Sequence, residues 1–89
     1  MRSVTTARFR KLFAGLPKQI QRRAERAYLV WRNDPHYPSL DFSRVHPSLP
    51  IYSADIGKNW RAVAIVENDT VKWFWIGSHS DYDKLLDSL

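Results

Sequence analysis

A histidine, an aspartate and a tyrosine follow directly on the strongest strand pattern of the chain. Residues 71–86 read V-K-W-F-W-I-G-S-H-S-D-Y-D-K-L-L, which places His79, Asp81 and Tyr82 just after a glycine. A histidine exchanges protons near neutral pH, and a tyrosine donates a hydrogen bond or stacks on another ring. Because functional groups often lie where a rigid strand passes into a loop, this segment is the first candidate for acid–base chemistry.

Each of these side chains also has a purely structural interpretation. His79 can bond a nearby backbone group at the start of a helix, and Asp81 suits the positive end of a helix dipole. Tyr82 shares an apolar helical stripe with Leu85 and Leu86, which is typical of a core ring. The residues alone leave both interpretations open.

An arginine inside a second strand pattern is the candidate phosphate ligand. Arg61 has Trp60 and Ala62 as neighbours on the opposite face, and its planar guanidinium matches the geometry of phosphate oxygens. The alternative is a cross-strand ion pair with Asp55. Lys58 lies in the adjacent turn, where it can reach a phosphate or remain solvated.

The sequence predicts neither a metal site nor a cofactor. His79, Asp81 and Asp83 are spaced like ligands, but the chain has only 3 histidines, scattered along it, and no cysteine. It contains no Gly-rich phosphate loop and no Ser/His/Asp or Cys/His nucleophile pattern.

Positive charge is concentrated in the first third of the chain. Residues 1–33 hold nine Lys or Arg and one acid, whereas residues 34–89 hold five basic and eight acidic residues. A basic half favours a polyanion or an acidic partner, and a solvated helix face is the alternative. A length of 89 residues predicts a single domain spanning residues 1–89. No signal peptide or transmembrane run is visible, so we expect a cytoplasmic location.

Helical periodicity dominates the first part of the chain. The apolar stripe of the first helix consists of Phe9, Leu12, Phe13 and Leu16. The stripe of the second helix consists of Ile20, Ala24, Ala27, Tyr28 and Trp31. Thr5 or Thr6 can cap the first helix, and Pro17 suits the start of the second. With almost no linker between them, the two helices are predicted to form an antiparallel hairpin.

Strand periodicity follows, and a short helix ends the chain. The strand patterns lie at 41–45, 51–56, 60–66 and 71–76, with 3–5 as a further candidate edge strand. Strict alternation places Val71, Trp73 and Trp75 on one face. Asn68-Asp69 predicts a two-residue hairpin turn, and Ser80 is the predicted cap of the last helix. We therefore expect an α+β fold of two layers: an N-terminal αα-hairpin packed on a small antiparallel sheet of three to four strands, with a short C-terminal helix.

Four blocks of the chain, in this order, resemble the RelE/ParE toxin superfamily of bacterial toxin–antitoxin systems. They are the L-P bend at Leu16-Pro17, D-P-H-Y-P-S-L-D-F, I-Y-S-A-D-I-G-K-N-W-R-A-V-A-I-V and W-F-W-I-G-S-H-S-D-Y-D-K-L-L. The third block is similar to the Y-S-x-x-I…x-R-x-V strand pair of the family. The last is similar to the G-x-H-x-D-Y ending of RelE-, YoeB- and YafQ-like toxins.

The resemblance implies a toxin that cleaves messenger RNA, usually on the ribosome, without a metal, and that a cognate antitoxin neutralises. Arg61 matches the strand arginine of the family and would stabilise the phosphate. His79 matches the C-terminal histidine and would act as general acid or base. Tyr82 falls close to the terminal tyrosine of the family and would stack or orient the substrate. Which of His79 and Tyr82 donates the proton stays open.

RNA contacts are also predicted outside this group, with Lys58 and His46 as looser matches to the family and the helix arginines as the strongest concentration of positive charge. The predicted contact residues are Lys58, His46 and Arg44 near the sheet and Arg22, Arg23 and Arg26 on the second helix. Phosphates attract such side chains irrespective of base sequence, so the helices are candidates for docking on ribosomal RNA.

Two positions depart from the family pattern. Ala54 and Asp55 stand where the Y-S-R-R-I form of the motif has basic residues. A sheet half with net negative charge also grips RNA poorly. These departures keep two alternatives open: a non-enzymatic ParE-type toxin that binds a protein target such as DNA gyrase, and an inactive protein with the toxin fold.

Overall fold

The chain forms a five-stranded mixed sheet with a helical hairpin on one face and a third helix on the other. The computed structural model describes residues 1–89. The strands are β1 (Arg2–Thr5), β2 (Ser43–Arg44), β3 (Ile51–Ile56), β4 (Trp60–Glu67) and β5 (Thr70–Ser78). The helices are α1 (Ala7–Ala14), α2 (Lys18–Asn33) and α3 (His79–Ser88), with a 3-10 helix at Pro38–Leu40. The strand order is β1-β5-β4-β3-β2.

The predicted α+β architecture is confirmed, with a larger sheet than the three to four strands expected. β1 pairs with β5 in parallel, whereas the other neighbours are antiparallel. The candidate edge strand at the start of the chain therefore exists and makes the sheet mixed. At the other edge, β2 is two residues long and begins after the predicted residue 41, because Asp41 takes a left-handed φ of 42° after the 3-10 helix.

Local capping explains where the helical hairpin begins and bends. The hydroxyl of Thr6 accepts a hydrogen bond from the backbone N–H of Phe9 at 3.1 Å, which satisfies one of the free donors at the start of α1. At the bend, the side-chain amide of Gln21 donates to the carbonyl oxygens of Phe13 and Leu16 at 3.1 and 3.2 Å. These hydrogen bonds hold the end of α1 and the bend residue Leu16 against the first turn of α2.

Two tight turns set the register of the antiparallel strands. Asn68 and Asp69 have φ values of 51° and 60°, so both adopt the left-handed conformation of a type I′ turn. This confirms the hairpin turn predicted between β4 and β5. Gly57, with φ of 66°, begins the turn between β3 and β4, and the resulting register sets Asp55 opposite Arg61.

A β-bulge in β5 overturns the predicted alternation of that strand. Ala64 of β4 pairs with Trp73, and the adjacent Val63 pairs with Trp75, which leaves Phe74 as an extra residue. Relative to strict alternation, the extra residue places the residues that follow it in β5 on the opposite face of the sheet. The prediction that Trp73 and Trp75 share a face is therefore wrong.

The core consists of two clusters, one on each face of the sheet. The cluster on the hairpin face contains Ala24, Trp31, Leu40, Ala54, Ile56, Ala62, Ala64, Val71, Trp73 and Ile76. The cluster on the other face contains Ile51, Val63, Trp75 and Tyr82, so α3 packs there. The prediction of two layers is wrong, because the bulge turns Trp75 toward α3 and gives that helix an apolar surface to cover.

The cap of α3 also differs from the prediction. Ser78, still extended at the end of β5, accepts a hydrogen bond from the backbone N–H of Asp81 at 3.2 Å. Ser80 lies one residue inside the helix, so its assignment as the cap is wrong. The same Ser-x-x-Asp spacing occurs twice in succession, and the one nearer the strand starts the helix. His79 thereby becomes the first helical residue.

Candidate functional site

Arg61 and Asp55 pair at one end of the sheet, on the face opposite the helical hairpin, and His79 follows the adjacent strand β5 at the same end. Asp55 in β3 and Gly77 in β5 flank Arg61 in β4 as its register partners. The next residues of β5 lead straight into α3, and the backbone N–H of His79 donates to the carbonyl oxygen of Asn59 at 2.8 Å. This hydrogen bond ties the start of α3 to the turn between β3 and β4.

Arg61 is held by the protein itself. Its Nε lies 3.1 Å from Oδ1 of Asp55, which confirms the cross-strand ion pair foreseen as the alternative. Its Nη1 donates to the carbonyl oxygens of Gly57, Lys58 and Trp60 at 3.3, 3.1 and 2.8 Å. Only 15% of its side chain is exposed. These contacts use Nε and Nη1, and the second terminal nitrogen, Nη2, takes part in none of them.

Asp55 sits in an environment that disfavours its charge. Partial burial raises the pKa of Asp55 above its ordinary value, and the positive charge of Arg61 partly opposes that rise. Asp41 raises the same pKa further, and His79 lowers it. The carboxyl of Asp55 therefore responds to the charges of both candidate site residues, Arg61 and His79.

His79 is exposed at the first turn of α3. Its Nε2 lies 3.6 Å from Oδ2 of Asp83, one helical turn further on. About half of its side chain is exposed, and its ring stacks against Tyr82 with the centroids 6.1 Å apart and the planes 25° apart. The imidazole is therefore oriented by two neighbours of its own helix and remains open to a ligand in solution.

Tyr82 lies in the core rather than at the surface. Only 8% of the residue is exposed, its ring packs against Trp75, and its hydroxyl donates to Oγ of the buried Ser53 at 3.2 Å. The structure thus places Tyr82 behind His79, with its hydroxyl already bonded inside the protein. This arrangement suits a residue that positions the imidazole.

The predicted RNA contacts in the loops and at the sheet edge are spread over both faces. Lys58 is exposed beside Arg61. Nδ1 of His46 accepts hydrogen bonds from the backbone N–H groups that follow it in its own turn. Arg44 pairs with Tyr52 on the hairpin side of the sheet and donates through Nε to a loop carbonyl. Only Lys58 of these three adjoins the ion pair of Arg61 and Asp55.

The predicted helix contacts reach the site at one point. Arg22, Arg23 and Arg26 are exposed on α2. Nη1 of Arg23 lies 3.9 Å from the position that a Cβ would occupy on Gly57. Since the carbonyl of Gly57 is a partner of Arg61, the basic surface of α2 meets the candidate site at the turn between β3 and β4.

Asp55 and Ser53 are the residues that sequence reasoning does not place in the site. They alternate along β3 and therefore share the face of Arg61. The sequence indicates Asp55 only as an ion-pair partner, and it does not single out Ser53. Residues two apart in a strand lie on the same face, and the tight turn at Gly57 pairs β3 with β4. Together these two patterns identify Asp55 and Ser53 as residues on the face of Arg61.

No three His, Asp or Glu side chains gather closely enough to hold a metal ion. Of the three residues with ligand-like spacing, His79, Asp81 and Asp83, the first and last are in contact through Nε2 and Oδ2. None of the helices has the length and apolar content that a membrane crossing needs.

The ParE-like toxin domain family matches residues 18–84. This match covers α2, strands β2 to β5 and half of α3, and the chain belongs to this family. No curated protein sequence matches the chain at a significant level.

Solved structures share the fold over nearly the whole chain. A chain of the RelB–RelE antitoxin–toxin complex from Methanococcus jannaschii has a TM-score of 0.72 and 20% identity, over 91% of this chain and 96% of that one. YafQ from Escherichia coli strain BL21(DE3) has a TM-score of 0.73 and 11% identity, over 92% and 98%. The YoeB/ParE toxin from Agrobacterium tumefaciens has a TM-score of 0.69 and 12% identity, over 89% and 99%. These structures confirm the predicted fold, and the family match over residues 18–84 confirms the resemblance to this group of toxins.

Proposed function

We propose that this protein is the toxin of a type II toxin–antitoxin pair and a metal-independent endoribonuclease that cleaves messenger RNA. The observation that carries the proposal is that the ion pair of Arg61 with Asp55 and the exposed imidazole of His79 lie at the same end of a RelE-like sheet. A cation that stabilises the phosphate and a side chain that transfers a proton both promote metal-free phosphodiester cleavage. The messenger RNA on a ribosome is the candidate substrate, and the cytoplasm is the expected location.

The proposed reaction is an internal transesterification. The 2′-oxygen attacks the adjacent phosphorus as its proton leaves, and the bond from phosphorus to the 5′-oxygen breaks as that oxygen gains a proton. The products are a 2′,3′-cyclic phosphate and a 5′-hydroxyl. His79 exchanges one of these protons and solvent water exchanges the other, while Nη2 of Arg61 donates to a nonbridging phosphate oxygen as negative charge develops there.

The ion pair with Asp55 moderates this role of Arg61. A carboxylate 3.1 Å from the guanidinium offsets its charge, so a phosphate gains less from Arg61 than it would from a free arginine. Lys58 lies in the turn between β3 and β4, and Arg23 lies beside that turn. Both would supply the additional positive charge that RNA binding needs. The helix arginines Arg22 and Arg26 would extend this basic surface along α2.

The test is induced expression in a bacterial host, followed by primer extension on a reporter mRNA. Wild type is compared with Arg61→Ala, His79→Ala and His36→Ala, the last being a control at an exposed histidine in the loop after α2. Growth arrest with new mRNA ends, lost in the first two variants and kept in the control, is the expected result. Arrest without mRNA cleavage would reject the nuclease proposal.

A ParE-type toxin that binds a protein target such as DNA gyrase is the second candidate. Two residues that depart from the family motif favour it. Ala54 is buried under the hairpin, and the carboxylate of Asp55 pairs with Arg61 and offsets its charge. Under this candidate, toxicity persists in His79→Ala. If expression of wild type leaves growth unaffected, the third alternative, a toxin fold without activity, is favoured.

The proposed partner that controls the protein is an antitoxin. The complex of RelB with RelE shows an antitoxin bound to a protein of this fold, and the strong positive charge of residues 1–33 suits an acidic partner. A tight partner that binds only the folded chain would also raise its apparent stability.

A further inference from the structure

A cleft between α1 and α3 opens at the outer edge of β5. β1 pairs with β5 only along residues 70–73, and the chain then turns away into α1. The remaining part of β5, residues 74–78, therefore has no strand beyond it. Residues of α1 and of α3 flank this open edge, and the cleft between the two helices has a volume of about 760 Å³.

Three cations line this cleft, and none of them forms an ion pair. Arg8 and Lys11 lie on α1, and Lys84 lies on α3. All three are exposed, and the ion pairs of the protein involve other residues. Asp81 is the one acid among the lining residues, so the cleft carries a positive net charge and attracts an anion.

The lining of the cleft suits a polar ligand that also carries flat rings. Only 6 of its 14 lining residues are hydrophobic, so an apolar helix would have little surface to bury there. The half-buried ring of Trp60 belongs to the lining, and a nucleic-acid base can stack on such a ring whatever its identity. Cations for the phosphates and an aromatic ring for a base are the two features that sites for single-stranded nucleic acid share.

The cleft is continuous with the candidate site through the end of β5. Gly77 lines the cleft and is the register partner of Arg61. Ser78 also lines the cleft and directly precedes His79. Because neighbouring strands lie about 4.8 Å apart, the cleft begins one strand away from Arg61. An RNA strand with one phosphate at Arg61 would therefore reach the cleft with its next nucleotides.

We propose that this cleft binds the single-stranded segment of RNA that flanks the cleaved bond. Phosphates of that segment contact Arg8 and Lys11 on one wall and Lys84 on the other, and one of its bases stacks on Trp60. These contacts do not depend on base sequence, and they supply binding energy at a site where Asp55 offsets the charge of Arg61. Naming the segment as part of the substrate rests on the proposed function, whereas the affinity of the cleft for single-stranded RNA does not.

Fluorescence anisotropy with a labelled RNA tests the proposal without the ribosome. The probe is a short single-stranded RNA whose 2′-oxygens are methylated so that it cannot be cleaved, and the titration is repeated over a series of salt concentrations. Two variants remove charge from the cleft: the double variant Arg8→Gln/Lys11→Gln on α1, and Lys84→Gln on α3. The control is Arg32→Gln/Lys72→Gln, which removes the same charge as the α1 variant from exposed residues outside the cleft.

We expect the salt dependence to reveal the lost phosphate contacts. For a single strand, the slope of log Kd against log salt falls by about 0.7 for each contact removed, so it should fall by about 1.4 in the α1 variant and by about 0.7 in Lys84→Gln. At about 0.1 M salt, the Kd of the α1 variant should rise at least about tenfold, while the Kd of the control stays within about twofold of wild type. Thermal melts identify any variant that has lost its fold, and variants on both walls are used so that one folded variant suffices.

Four results would overturn the proposal. They are an absence of RNA binding by wild type, binding by both cleft variants as tight as that of wild type, an equal loss of affinity in the control, and competition by an oligoglutamate peptide that equals competition by unlabelled RNA of the same charge. The last result would assign the cleft to an acidic protein segment.

Cleavage of messenger RNA by the wild-type chain is measured in parallel with RNA binding. Cleavage together with unchanged RNA binding in both cleft variants rejects only the cleft proposal. RNA binding that both cleft variants weaken, without any cleavage by wild type, rejects only the nuclease proposal.

Discussion

The hydroxyl of Tyr82 distinguishes a positioning role from a catalytic one. It donates to Ser53 at 3.2 Å in a buried setting, and Tyr82→Phe removes this bond without changing the packing of the ring on Trp75. A net intramolecular hydrogen bond contributes about 0.5–1.5 kcal/mol, so we expect a loss of about 1 kcal/mol in the free energy of unfolding. In a domain of this size, that loss lowers the melting temperature by about 4–8 °C.

Two assays on the same protein samples separate the two roles. Urea unfolding gives the change in stability, and cleavage of ribosome-bound mRNA gives the change in activity. If Tyr82 only positions His79, Tyr82→Phe loses stability and keeps most of its cleavage rate below the melting transition. The control is Tyr37→Phe, since Tyr37 is 49% exposed and should change neither quantity.

A double-mutant cycle assigns the loss to the right bond. Ser53→Ala and the double variant with Tyr82→Phe are measured in the same way, and the coupling free energy should be about 0.5–1.5 kcal/mol. Full stability with abolished cleavage in Tyr82→Phe would refute the positioning role and make the hydroxyl the proton donor.

Two further predictions concern the packing and the ion pair of the site. Gly77→Ala should destabilise the fold by about 1–3 kcal/mol in urea unfolding, because its Cβ would lie 2.7 Å from the Trp75 ring, whereas Gly15→Ala has no contact closer than 3.6 Å and should be nearly neutral. Asp55→Asn should change the pH dependence of stability: since burial raises the folded pKa of Asp55, wild type loses stability relative to Asp55→Asn as the pH rises from below about 3.9 through that raised pKa. A stability difference that grows in favour of wild type over that pH range would contradict the stated cause of the pKa shift.

Several elements could be predicted from the sequence because each depends on neighbouring residues. The stripe of Phe9, Leu12 and Phe13 identifies α1, and the pair Asn68-Asp69 identifies the turn that joins β4 to β5. The cross-strand pair of Asp55 and Arg61 also follows from a short turn between two alternating strands.

The features that the sequence does not reveal depend on contacts between distant segments. Alternation cannot show the extra residue Phe74, and the bulge it causes decides which face Trp75 covers and where α3 packs. Whether the hydroxyl of Tyr82 faces solvent or Ser53 depends on that packing. The cleft between α1 and α3 likewise depends on where β1 stops pairing with β5, which no local pattern reveals.

The most direct test of the central proposal is cleavage of ribosome-bound mRNA by the purified protein at stoichiometric amounts, without added metal. Wild type and His36→Ala should produce new ends bearing a 2′,3′-cyclic phosphate and a 5′-hydroxyl, whereas Arg61→Ala and His79→Ala should leave the mRNA intact. Intact mRNA with folded wild-type protein, or equal cleavage by all four proteins, would contradict the assignment of Arg61 and His79 as the site of an endoribonuclease.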